Sequence, residues 1–135
     1  MKTISIVGLS LAVAFLSAMT SDWLLISQND KSKTFVQVTS VSPRGKLMKA
    51  WFRSEFKSPQ IRESGSKEYR SMAELAYFNC VERTSAISRL NFFSGYFNSG
   101  EVVGQVYFPI EELQFSAVAS DVDERAKLNF VCPQK

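Results

Sequence analysis

Turn-forming residues cut this chain into short stretches in which apolar and polar side chains alternate, and this pattern restricts the fold to one built mainly of β-strands. Clusters of Asn, Asp, Gly, Pro and Ser occur at residues 29–30, 42–45, 58–59, 63–66 and 98–100. Side chains that alternate with a period of two belong to strands with one covered face, and short turns join such strands in antiparallel pairs. The pattern therefore predicts an antiparallel meander.

The segment from Leu47 to Phe56 shows this alternation most clearly. One side is apolar and holds Met48, Ala50, Phe52 and Phe56, whereas the other side holds Lys49, Trp51, Arg53 and Glu55. An exposed strand face rarely carries an uncovered tryptophan. We therefore expect Trp51 to lie under a second layer or to form part of a contact surface.

The remaining segments predict further strands and one helix. Strands are expected at 24–28, 34–41, 84–93 and 102–108. Residues 68–80 fit either a strand or a helix, and the helical propensity of their Ser-Met-Ala-Glu-Leu-Ala run favours the helix. Near the end of the chain, Ser120 followed by acidic residues is typical of a helix N-cap, and Pro133 prevents the helix from continuing.

The first residues have the pattern of a secretory signal peptide. Lys2 supplies a positive charge, and residues 4–18 follow without any charge. A bilayer span needs about 20 apolar residues, so we expect this shorter stretch to be cleaved rather than to span a membrane. Cleavage is expected after Ala18, Thr20 or Ser21.

This assignment divides the chain into a signal peptide, residues 1–21, and a single domain, residues 22–135. The signal segment contains no cysteine that could carry a lipid anchor. Because the signal peptide is expected to be cleaved, the mature protein is expected to be exported and not membrane-spanning. A periplasmic, a cell-surface and a secreted location all remain open.

The chain contains two cysteines and no histidine. The lack of imidazole excludes Ser-His and Cys-His nucleophiles and histidine-bound zinc. In an oxidising compartment we expect Cys80 and Cys132 to form a structural disulfide, since a metal site would need more ligands and a redox pair usually shows Cys-x-x-Cys. We expect no catalysis, no cofactor and no metal.

Two groups of acidic residues could carry chemistry but have simpler explanations. Asp121, Asp123 and Glu124 lack the glycine and later glutamate of a calcium-binding EF-hand loop, and acids at a helix N-terminus explain them. Glu111 and Glu112 are adjacent, and neighbours on a strand point to opposite faces, so they do not form an acid–base pair.

The charged residues are unevenly distributed, although the formal net charge is only +3 and does not indicate a nucleic-acid partner. Residues 30–70 hold ten basic and four acidic side chains, whereas residues 71–135 hold five basic and eight acidic ones. The basic half forms either ordinary solvated strand faces or a patch for an acidic partner. An aromatic run at residues 91–98 offers a second contact surface. The candidate binding residues are Lys46, Lys49, Trp51, Arg53, Lys57, Tyr96 and Phe97.

Scattered positions between Trp51 and Cys132 carry a family resemblance. They are Trp51, Ser71, the Tyr77-Phe78-Asn79-Cys80 run, Arg83, Gly100 and Cys132. Together they resemble the bacterial surface-adhesin protein E-like family. The resemblance implies an α+β fold, with an antiparallel sheet of about six strands and a C-terminal helix pinned by one disulfide. It also implies that the ambiguous segment is a strand that ends at Cys80.

The resemblance further implies an exported binding protein of the bacterial envelope, an adhesin for host matrix or plasma proteins that self-associates as a homodimer. The alternative is a periplasmic inhibitor or immunity protein that binds a toxin or hydrolase. The chain departs from the family pattern at Pro109, which is followed by Ile110-Glu111-Glu112 rather than by a Pro-x-Ser element.

Overall fold

The computed structural model describes residues 22–118 and 121–133, so the signal peptide predicted for residues 1–21 lies outside the described residues. The strands are β1 (Trp23–Gln28), β2 (Ser32–Gln37), β3 (Ser42–Arg44), β4 (Leu47–Gln60), β5 (Tyr69–Asn79), β6 (Thr84–Phe93), β7 (Val102–Tyr107) and β8 (Ser116–Ala117), and the helix is α1 (Val122–Val131). The strands form an antiparallel sheet in the order β1-β2-β4-β5-β6-β7, while β3 pairs with β4 and β8 pairs with β6. The predicted α+β fold class is confirmed.

One face of the sheet carries the hydrophobic core. Val36, Phe52 and Phe78 are fully buried there, and Leu128 and Val131 of α1 pack against them. The Phe52 and Phe78 rings meet edge to face, with their centroids 5.9 Å apart. Burying an aliphatic or aromatic side chain of this size stabilises a fold by roughly 1.5–3 kcal/mol. The covered face is the apolar side predicted for β4.

The segment with ambiguous periodicity is a strand, so the helix favoured by its propensity is wrong and the strand implied by the family resemblance is confirmed. Tyr69–Asn79 pairs with β4 on one side and with β6 on the other. Its small residues Ala73 and Ala76 are buried, each on a different face. Strand pairing on both sides and burial on both faces outweigh a helix-propensity advantage of about 0.5 kcal/mol per residue.

Strand β2 is shorter than the predicted 34–41 strand because a 3-10 turn, Val38–Ser40, follows it. Asp22 holds this turn: its backbone oxygen accepts from the Val38 N–H at 2.9 Å, and its carboxylate accepts from the Thr39 N–H at 3.2 Å and from the Thr39 hydroxyl. The turn leads the chain into β3.

Helix α1 begins at a different cap from the one predicted. Asp121 is the N-cap, and its carboxylate accepts from the backbone N–H groups of Asp123 at 2.8 Å and of Glu124 at 3.2 Å. Ser120, the predicted cap, lies outside the described residues. Asp123 accepts a hydrogen bond from the Ser27 hydroxyl of β1, so the first turn of the helix is tied to the sheet.

We expect Asp121→Ala to lower the free energy of unfolding by about 1 kcal/mol, because two helix N–H groups lose their acceptor. Urea unfolding followed by circular dichroism measures this. Asp121→Asn keeps a capping oxygen and should retain most of the stability. Equal stability of Asp121→Ala and wild type would contradict the capping role.

Two long-range contacts fix α1 on the sheet. Cys80, just after β5, forms a disulfide with Cys132, just after α1, with a Cα–Cα distance of 5.4 Å. This confirms the predicted pairing and the pinned helix. In addition, Lys127 of α1 donates to Glu74 of β5 at 3.0 Å, and both side chains are 6% exposed. Lys127 also donates to Glu124 at 2.8 Å.

Candidate binding surface

The face of the sheet opposite to the helix is polar and aromatic, as the alternation in β4 predicts. Arg53 and Glu55 of β4 both lie on this face, since residues two apart in a strand point to the same side. Arg53 pairs with Phe35 of β2, and Glu55 pairs with Ser71 of β5. The loop between β6 and β7, residues 94–101, folds over this end of the face. The surface therefore consists of strand side chains and one covering loop.

Hydrogen bonds to buried side chains hold the covering loop in place. The Phe97 N–H donates to Glu55 Oε1 at 2.7 Å, and the Asn98 N–H donates to Ser71 Oγ at 3.0 Å. Ser71 is fully buried and donates its hydroxyl to the Gly95 carbonyl at 2.6 Å. These bonds place Phe97 directly over the strands.

The loop adopts a backbone that these contacts must maintain. Phe97 and Asn98 have φ values of 56° and 55°, in the left-handed region, which costs a non-glycine residue roughly 1–2 kcal/mol. Gly100 has a φ of 80°, and a Cβ atom there would lie 2.5 Å from Ser94 Oγ. A glycine suits this position for both reasons.

Under the loop, Arg53 lies in a cage of aromatic rings. Its guanidinium carbon is 4.6 Å from the ring centroid of Phe35 and 4.9 Å from those of Trp23 and Phe97. Its Nε is 3.0 Å from Glu55 Oε1, and the residue is only 7% exposed. Cation–π contacts strengthen when the cation is desolvated, so the cage holds Phe97 and Arg53 together.

The buried ion pair in this cage is incompletely hydrogen-bonded. Burial lowers the pKa of Arg53, and the Glu55 carboxylate opposes that shift. Burial raises the pKa of Glu55, and the Phe97 N–H and Arg53 oppose it. Within residues 22–118 and 121–133, Arg53 Nε and Glu55 Oε2 have no hydrogen-bond partner. Glu55 Oε2 thus keeps unused acceptor capacity beside the loop.

A groove of about 410 Å³ lies beside the cage, and we call it the lysine groove. It is lined by Lys33, Phe35, Glu55, Phe56, Lys57, Tyr96 and Phe97. Both lysines are exposed, and Tyr96 and Phe97 are 42% and 66% exposed. Arg70 supports Tyr96 by donating to its hydroxyl at 3.2 Å. The groove therefore presents cations and aromatic rings together.

The structure brings together four of the seven candidate binding residues. Lys57, Tyr96 and Phe97 line the lysine groove, and Arg53 lies beneath Phe97 as a buried support rather than as an exposed cation. Lys49 and half-buried Trp51 lie further along the same face of β4. Lys46 is in the turn between β3 and β4, next to the first residue of β4, whereas the groove residue Lys57 is near the other end of that strand.

Sequence reasoning did not select Lys33 and Phe35 of β2 or Trp23 of β1. Phe35 is on the same side of β2 as Lys33 and Gln37, so the alternation contained a signal for its face. The register that sets Phe35 opposite Arg53, and Lys33 opposite Glu55, is a property of the folded sheet. No pattern within a single strand could have revealed it.

The fold and this surface define a small, disulfide-linked α+β domain with one helix-covered face and one basic, aromatic face. Within the part of the chain that the structure describes, no helix has the length and apolar character to cross a membrane. A model of the surface-adhesin protein E family matches residues 23–133. The chain belongs to this family, which is one of adhesins and not of enzymes.

Solved structures agree with this assignment at the level of the fold. The chain is similar to Haemophilus influenzae protein E in crystal form II, with a TM-score of 0.61, 11% sequence identity and coverage of 83% of this chain and 87% of the other. It is also similar to protein E from non-typeable Haemophilus influenzae, with a TM-score of 0.58, 11% identity and coverage of 83% and 76%. No curated protein sequence matches the chain significantly.

Proposed function

We propose that this protein is an exported, non-enzymatic surface adhesin that binds an acidic segment of a host matrix or plasma protein through the lysine groove. The observation that carries the proposal is the combination of two exposed lysines with exposed aromatic rings around one groove. Aromatic side chains are enriched in protein–protein interfaces, and they supply most of the binding energy when they fill a desolvated centre.

The charges of the groove favour a negatively charged partner. Lys33 and Lys57 form no ion pair within the described residues, so both ammonium groups are available to carboxylates of another protein. Glu55 is the groove's acid, and its nearest cation is the buried Arg53. Electrostatic complementarity of this kind raises association rates and selects among partners.

The covering loop gives the groove a fixed shape before a partner arrives. Phe97 is held by the Glu55 hydrogen bond and the Arg53 cage, so little conformational freedom is lost when it is covered. A preformed contact surface binds more tightly because it avoids this ordering cost. Binding in this manner requires neither a cofactor nor a metal.

We expect Lys33→Glu/Lys57→Glu to weaken retention of the mature protein on immobilised basement-membrane extract or plasma proteins at least tenfold, which corresponds to about 1.4 kcal/mol. Surface plasmon resonance at two salt concentrations measures this, since exposed charge contacts weaken as salt rises.

The matched control is Arg44→Glu/Arg125→Glu, which reverses two exposed charges outside the groove. It should leave retention close to that of wild type. Equal losses in both double variants would indicate attraction by net charge alone and would contradict the groove. Lys49→Glu then shows whether the contact surface extends along β4 toward Trp51.

A further inference from the structure

A second groove lies where the outer strand next to β6 is interrupted. Strand β7 ends at Tyr107, which pairs with Arg89, and β8 begins at Ser116, which pairs with Ser85. Between them the chain leaves β6 through Pro109 and a 3-10 turn, Ile110–Glu112, so Glu111 and Glu112 lie in a turn and not on the strand that the sequence suggested. The result is an open groove of about 980 Å³, which we call the acidic groove.

The floor of the acidic groove is apolar. Ile87 of β6 and Phe108 are 41% and 46% exposed, and Leu113 and Val118 also line the groove. In the residues that the structure describes, Ala86 and Ile87 have no pairing partner in β7 or β8. Ala86 is buried, whereas Ile87 presents a partly exposed apolar side chain to the groove at this point.

The charged side chains of the lining are all negative. Glu111, Glu112 and Glu124 line the groove, and no lysine or arginine is among the lining residues that the structure describes. Glu111 and Glu112 are exposed and form no ion pair among the described residues, whereas Glu124 pairs with Lys127. Two unpaired carboxylates beside an apolar floor attract a cation that also carries apolar groups.

Hydrogen bonds within the chain already hold the wall of the groove. The Phe108 N–H donates to the Ser88 carbonyl at 2.8 Å, and the Ser88 hydroxyl donates to the Phe108 carbonyl at 3.0 Å. The Glu112 N–H donates to the Pro109 carbonyl at 2.9 Å. The groove is thus preformed, and its volume is at the upper end of the roughly 300–1,000 Å³ typical of binding pockets.

We propose that the acidic groove binds a short cationic, amphipathic peptide segment of a partner protein, in which Lys or Arg side chains alternate with bulky apolar ones. In an extended peptide, alternate side chains point to opposite sides. Apolar side chains then reach Ile87 and Phe108 while basic side chains reach Glu111 and Glu112. This site is separate from the lysine groove and has the opposite charge.

Fluorescence anisotropy of the mature protein with a labelled hexapeptide of alternating leucine and arginine tests the proposal. We expect saturable binding, weakened at least tenfold by Glu111→Gln/Glu112→Gln. The matched control, Glu63→Gln/Glu82→Gln, removes two exposed acids outside the groove and should bind like wild type, as should Lys33→Glu/Lys57→Glu. Peptides with glutamate in place of arginine, or serine in place of leucine, should bind at least tenfold more weakly.

Three outcomes would overturn the proposal. Equal weakening by the control pair would reduce the interaction to general charge attraction. Equal binding of the serine peptide would show that the apolar floor is unused. If light scattering finds an oligomer that Glu111→Gln/Glu112→Gln converts to a monomer, the occupant is a second copy of this chain rather than a foreign peptide. All the substituted glutamates are exposed, and circular dichroism checks that each variant is folded.

Discussion

Lys127→Met lowers the free energy of unfolding by about 3–5 kcal/mol, the range expected when one partner of a buried ion pair is removed. The ammonium group of Lys127 lies 3.0 Å from Glu74 Oε2, and both side chains are almost fully buried between α1 and β5. Without Lys127, the Glu74 carboxylate remains in the core beside Phe52 with no counter-ion. Urea titration at pH 7 measures the loss.

The pH dependence of the variant tests the same explanation. Burial raises the pKa of Glu74, and Lys127 lowers it, so its removal leaves the pKa of Glu74 further above the ordinary value. Between the unfolded-state pKa of about 4.3 and this raised pKa, the native state binds more protons than the unfolded state, so stability falls as pH rises. The deficit of Lys127→Met relative to wild type should therefore be small at low pH and should grow through this window.

Burial raises the pKa of Glu74 in wild type as well, but the charged lysine opposes this shift, so the dependence is weaker there than in the variant. Burial alone would lower the pKa of Lys127, but the carboxylates of Glu74 and Glu124 and their hydrogen bonds raise it above its ordinary value. The control is Glu74→Met/Lys127→Met, which removes both charges and should recover most of the stability. A double variant as unstable as Lys127→Met would show that packing, not an unpaired charge, causes the loss.

The sequence predicted the sheet well because its alternation directly reflects which strand face is covered. For β4, Phe52 falls on the helix face and Arg53 on the opposite one, as the period of two requires. Propensity alone did not predict that residues 69–79 form a strand, because propensity describes an isolated segment. Pairing with β4 and β6 on both sides decides that segment.

Patterns within single segments could not predict the buried ion pair between Glu74 and Lys127. Glu74 and Lys127 are 53 residues apart, and each alone is typical of a solvated surface. Their contact depends on how α1 crosses the sheet, which the pattern within α1 does not determine. A lysine in the last half of a short, capped helix gives no sign of its partner.

The candidate binding surface was predicted in part, for the same reason. The aromatic loop and the basic face of β4 were recognised, and Lys57, Tyr96 and Phe97 do meet at the lysine groove. Lys33 joins them only through the register between β2 and β4. Arg53 is a buried support because Phe97 covers it, an arrangement created by a loop more than forty residues away in sequence.

The Cys80→Ala/Cys132→Ala variant is expected to lose about 4 kcal/mol of unfolding free energy in the chain-entropy model. The two cysteines are separated by 52 residues, so the disulfide closes a long loop and removes many conformations from the unfolded chain. That loss is a large share of the ~5–15 kcal/mol stability of a typical domain. Alanine is chosen for both positions because Cys132 is fully buried and a free thiol would remain reactive in single variants.

The disulfide and the lysine groove lie on different faces of the sheet, and this separates a stability effect from a binding effect. Cys132 belongs to the core cluster beneath α1, whereas the groove is formed by β2, β4 and the loop over the opposite face. Under conditions in which the double variant is still folded, we therefore expect wild-type retention by the same immobilised partner. Urea titration should at the same time show a lower midpoint, and wild type treated with a reductant should unfold at that same midpoint. If reduction leaves the midpoint unchanged, then the packing of Leu128 and Val131 alone holds the helix, and the proposed role of the cross-link is wrong.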